Sequence, residues 1–152
     1  MTASSPERRL DRFIARYTPE IAARGRAALV ELRTILPGAV EMVYDNYNAL
    51  VVGFGPTERA SEAVVSVALY PRWVNLFFLK GAKLPDPKKR LQGKGSIVRH
   101  ITLTDAETLH DPAVQALFGH ALAAADWTPD PATPGRIVVK SVATNQRPRR
   151  PK

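Results

Sequence analysis

Ala63-Val64-Val65-Ser66-Val67-Ala68-Leu69-Tyr70-Pro71-Arg72-Trp73-Val74-Asn75-Leu76-Phe77-Phe78-Leu79 is the stretch on which the reading of the fold turns. Ala63–Tyr70 and Trp73–Leu79 are two runs dense in β-branched and aromatic residues, parted only by Pro71-Arg72. A connection that short cannot carry a crossover helix, so the two strands must be antiparallel neighbours. Upstream, Val40–Tyr44 and Ala49–Phe54 read as two more strands, joined through Asp45-Asn46-Tyr47-Asn48. Downstream, Gly81–Ser96 is a Gly/Pro/Lys loop with room for one helical turn at Pro87–Leu91, and Ile97–Leu103 returns to β character.

Helical spacing flanks this strand run. Ser5-Pro6-Glu7 and Thr18-Pro19-Glu20 are helix starts, each with a capping hydroxyl, a first-turn proline and an acid near the positive helix end. Leu10, Phe13, Ile14 and Tyr17 recur at helical intervals, as do Ile21, Ala28, Leu29, Leu32, Ile35 and Leu36, until Pro37-Gly38 stops the second helix. Gly25 lies on that apolar side, where close packing is expected. Asp111-Pro112 opens a third helix with Val114, Leu117, Phe118, Ala121, Leu122 and Ala125 along one face. Helices, then antiparallel strands, then a helix predict an α+β fold: an antiparallel sheet with helices packed on one face. The expected organisation is one α+β domain over 1–126, then a proline-containing linker over 127–144 with an extra strand available at Arg136–Val142. Residues 145–152 read as a disordered basic tail. Loss of everything after Thr144 should then leave the melting temperature nearly unchanged.

The 152 residues suit one domain. No run approaches the ~20 apolar residues of a membrane span. Four arginines and no apolar run in the first 20 residues argue against a secretory signal, so a cytoplasmic location is expected. With no cysteine, thiolate nucleophiles, disulfides and cysteine-ligated metals are excluded. The net charge of +8 is unevenly spread. Eight basic residues against Asp86 alone lie between Arg72 and His100, and six with no acid between Arg136 and Lys152. Such a patch and tail attract anions, or act simply as solvated, solubilising segments.

Gly93-Lys94-Gly95-Ser96 resembles a phosphate loop, but Lys94 is followed by glycine and a strand follows where the nucleotide-triphosphate motif needs Ser or Thr and a helix. What survives is a glycine turn flanked by Lys83, Lys94 and Arg99 that could hold one phosphate, carboxylate or sulfate, or that needs glycine only for positive φ. Arg99 and His100 point to opposite faces of their strand, so one is expected inward, a core-bonded histidine being the common case. Asp45, Asn46 and Asn48 could line a pocket with Tyr44, Tyr47 and Trp73, or serve the turn itself. No two histidines share a helix face at i+3 or i+4, and no G-x-S-x-G occurs. The ligand-binding candidates are therefore Lys83, Lys94, Arg99, His100, Tyr44 and Asn48, with no catalytic or metal-ligating residue and no cofactor.

Leu76-Phe77-Phe78-Leu79-Lys80-Gly81, Leu84-Pro85-Asp86-Pro87 and Leu91-Gln92-Gly93-Lys94-Gly95 followed by Val98-Arg99-His100-Ile101 resemble the YdhG-like family, a small bacterial domain of unknown function. So do Ala39–Asp45 after Pro37, Asn48–Gly53 and Ser66–Tyr70, and the likeness runs from about Leu10 to Ala125. The resemblance implies a compact α+β domain grouped with frataxin-like and YjbR-like folds, one branch of which is described as a frataxin-like iron chaperone. Iron handling of that kind uses a ridge of carboxylates, whereas the first helices here carry seven arginines up to Arg33. The expected function is a cytoplasmic, non-catalytic domain binding an anionic small molecule. The alternatives are the family's iron role and weak, non-specific nucleic-acid association through the tail. The sequence names neither the ligand nor an oligomeric state.

Overall fold

The computed structural model describes residues 5–152. Helix α1 spans Pro6–Ala15 and α2 Pro19–Ile35. Strands β1 (Val40–Asp45), β2 (Leu50–Gly55), β3 (Val65–Leu69), β4 (Val74–Phe78) and β5 (Arg99–Leu103) follow, then α3 (Pro112–Ala124) and β6 (Arg136–Val142). The three helix starts form as the sequence dictates: Ser5, Thr18 and Asp111 accept from the backbone N–H groups of Arg8, Ile21 and Ala113, each with a proline in the first turn. At Pro87–Leu91 there is no helix. The Asp86 carboxylate accepts from the N–H groups of Arg90 and Leu91, and Lys89 takes a positive φ of 53°, which closes a turn instead.

The six strands form one sheet in the order β5-β4-β3-β2-β1-β6. Every pairing is antiparallel except β1–β6, which is parallel. The stretch after Trp127 is thus no mere linker: it carries the edge strand, with Ile137 and Val139 packed on the core. A parallel partner needs a long return path, and α3 with the 127–135 stretch supplies it.

Alternate strand residues separate cleanly. Val43, Val52, Val67, Leu76 and Ile101 share the face that packs on the helices. Across the opposite face runs the row Val138, Met42, Gly53, Ser66, Phe77, His100. Gly25 has the packing role its position suggests, since a Cβ there would stand 2.7 Å from Leu69 Cδ2. Tyr17 stitches α1 to the sheet: its hydroxyl donates to the Leu69 carbonyl (2.8 Å) and accepts from the Leu50 N–H (3.0 Å). Burial pushes that phenol above its ordinary value, against the opposing pull of Arg149. No helix among the described residues is long and apolar enough to cross a membrane.

Candidate functional site

The six residues singled out by the sequence do not converge. Lys83, Lys94, Arg99 and His100 gather where the 81–98 loop returns to β5. Ala82 donates to the Ile97 carbonyl, and Gln92 and His100 exchange backbone hydrogen bonds. Tyr44 lies four strand positions away on β1, about 19 Å at ordinary strand spacing. Asn48 is exposed in the turn after β1, at the far end of the sheet from the loop.

Within the loop, Gly93 has a φ of 121°, so the glycine serves the backbone. The guanidinium of Arg99 donates inward, to the carbonyls of Gly95 and Val98. Carbonyl oxygens therefore converge on the cation that was to receive an anion, and the loop is closed on itself. His100 is not inward. Its ring sits half-buried on the sheet face away from the helices, 5.6 Å from that of Phe77. Lys83 and Lys94 are exposed.

The second correction concerns residues 145–152, which are docked on the domain through the buried Arg149 rather than free of it. Arg149 and Asp45 form an ion pair at 2.9 Å in which each side chain is only 1% exposed. Asp45 also accepts from Gln146 (2.9 Å) and Arg16 (3.4 Å). The Arg147 N–H donates to the Tyr47 carbonyl, and Arg150 Nε donates to the Arg16 carbonyl (3.1 Å). A carboxylate at the buried end of an apolar strand must find a cation, and the C-terminal arm delivers it. Asp45 is therefore neither pocket lining nor turn chemistry but an anchor.

Anchoring the arm builds a site of which the sequence reading held only Asn48 and Trp73. Between the β3–β4 turn and the arm lies a cleft of about 620 Å³, within the usual range for ligand sites. Tyr70 and Trp73 form one wall, their rings 5.5 Å apart and tilted by 33°. Arg72, Arg147, Arg150 and Lys152 supply the charge, Asn48 an amide at the edge, and no acidic residue lines it. Trp73 is 45% exposed and Tyr47 51%, the latter with the Arg147 guanidinium 5.8 Å above its ring. Arg72 thus belongs with the arm, at the other end of β4 from the lysine loop, so the basic stretch 72–100 is not one patch. The available signal was Tyr-Pro-Arg-Trp, two aromatics and a cation on a tight turn.

Glu31 and Glu107 flank His110, with Glu31 Oε2 at 2.7 Å and Glu107 Oε2 at 3.3 Å. The hydrogen bond to Glu31 and the two negative charges raise the imidazole above its ordinary value. Among the described residues no group of three or more His, Asp or Glu is placed to hold a metal ion. Compared with family models, with curated proteins and with solved structures, the chain matches none.

Proposed function

We propose that the protein is a cytoplasmic, non-catalytic binding domain whose ligand is an anion, and that it binds in the cleft between the β3–β4 turn and the C-terminal arm. The observation that carries this reading is the lining: four cations, two aromatic rings and no carboxylate around one concavity. A cluster of one sign in a walled cleft raises the local concentration of counter-charge, and guanidinium groups bond phosphate-like oxygens in charge-assisted pairs. The glycine loop at 93–95 is the weaker location, because Arg99 Nη1 already bonds two carbonyls there and no aromatic pair like Tyr70–Trp73 stands beside it. The YdhG-like kinship stands as part of the proposal on the motifs within 10–125. The α+β order of elements is compatible with it. The iron role drawn from that kinship has no converging donor set among the described residues to support it.

Amide NMR titration with inorganic pyrophosphate tests the reading. Shifts are expected at Arg72–Trp73 and 147–152, and Arg72→Glu should abolish them. Shifts confined to Gly93–Arg99 would move the site to the glycine loop, and silence in both regions would remove the anion reading altogether.

A further inference from the structure

We infer that the occupant of this cleft is a single-stranded nucleic acid, with a base stacked on Trp73 and its phosphates on Arg72, Arg147, Arg150 and Lys152; this rests on the reading of the cleft as an anion site. A simple anion needs cations only. Here the cations border an exposed indole, which Tyr70 supports from behind at a centroid distance of 5.5 Å. A second aromatic face, Tyr47, lies beside Arg147. An indole left 45% exposed in the middle of a basic cleft offers a planar apolar surface to a planar group that carries negative charge. Nucleobases on a phosphodiester chain have that chemistry, and stacking on aromatic side chains flanked by a basic groove is how unpaired strands are held without sequence readout.

The geometry favours a strand over a duplex or a free nucleotide. The bases of a duplex are stacked on each other and cannot lie on Trp73 unless unpaired. The cations are distributed along an arm that Pro148 and Pro151 keep from coiling and that the Arg149–Asp45 pair fixes in place. A row of charges follows a chain of phosphates, where a mononucleotide would use one or two. The side-chain amide of Asn48, at the edge of the cleft, can both donate to and accept from a base edge.

The test uses the full chain and three probes: the octamer dT8, an inorganic polyphosphate of matched charge, and thymidine monophosphate. Tryptophan emission should quench with dT8. Trp73→Ala should weaken dT8 binding by about 5- to 150-fold, the range of one lost stacking contact, and leave polyphosphate binding unchanged. Arg150→Glu should weaken both. With at most four phosphates neutralised, the log–log salt slope for dT8 should be no steeper than about −2.8. Equal affinity for dT8 and polyphosphate, insensitive to Trp73→Ala, would overturn the stacking assignment and leave the anion site standing. Monophosphate binding as tight as dT8 would overturn the strand. Failure of all three probes would remove the anion site itself.

Discussion

His110 ties the short 3-10 turn at Ala106–His110 to α2 through Glu31, and the tie depends on protonation. Because the folded-state imidazole is raised by Glu31 first and Glu107 second, its contribution to stability is fully present below the unfolded value of about 6.5. The contribution is lost as pH rises through the higher folded value. NMR titration should therefore place the His110 midpoint above 6.5, and Glu31→Gln should bring it down. A midpoint at or below 6.5 in the native protein would show that the ion pair does not form in solution. Asp45 lies at the other extreme of exposure. It is held by three donors and sheltered from water, so its role is insensitive to salt in a way that the surface pair at His110 is not.

Among the elements, α3 packs on the core through most of the face its sequence pattern marks, although Ala125 at its end is exposed. Its Val114, Leu117, Phe118 and Ala121 are buried, and Phe118 meets Phe78 of β4 edge-on at 5.1 Å. Leu117→Ala should cost about 2–5 kcal/mol, read as a lower urea midpoint with an unchanged slope. A loss below about 0.5 kcal/mol would mean that α3 does not face the core. This element was legible because a helix is specified locally: cap, first-turn proline and 3.6-residue spacing all lie between Asp111 and Ala124. The β3–β4 hairpin was legible for the same reason, through its short connection and dense β-branched runs. The strand β6 was read at its observed bounds, but its pairing and the docking of the arm were not legible. Arg136–Val142 has the composition of a strand, but nothing local says that it pairs with β1, let alone in parallel. Of the cleft only Asn48 and Trp73 were legible, since its two halves, Arg72–Trp73 and 147–152, come together through docking of the arm on Asp45, Tyr47 and Arg16. That a buried Asp45 needs a cation follows from its place at the end of an apolar strand. Which of 22 lysines and arginines supplies it does not.

At the scale of the whole molecule, the arm closes the structure. Removal of everything after Thr144 takes away Arg149 and Gln146 and leaves Asp45 with Arg16 alone at 3.4 Å. Breaking a buried pair from one side costs about 3–5 kcal/mol, a large share of the ~5–15 kcal/mol that holds a domain together. The truncated chain should melt well below the full one in thermal and urea denaturation, and Asp45→Asn in the truncated chain should recover part of the loss. An unchanged melting temperature after truncation would show that the arm is not docked in solution. The same truncation should also abolish retention on heparin, because the cleft loses one wall.

The parallel β1–β6 pairing gives the order of synthesis a physical meaning. Asp45 and Arg149 are 104 positions apart, which at ~5–20 residues per second separates their translation by roughly 5–20 s. During that interval the nascent chain can complete the β1–β5 meander and its helical cover. The outer edge of β1 meanwhile remains unpaired, with a carboxylate at its end that only Arg16 can meet. That edge is an open template for strand addition by another chain, and the charge of Asp45 keeps it hydrated until Arg149 leaves the ribosomal exit tunnel. Pairing of β6 and docking of Arg149 on Asp45, not the first collapse, thus decide when that edge closes.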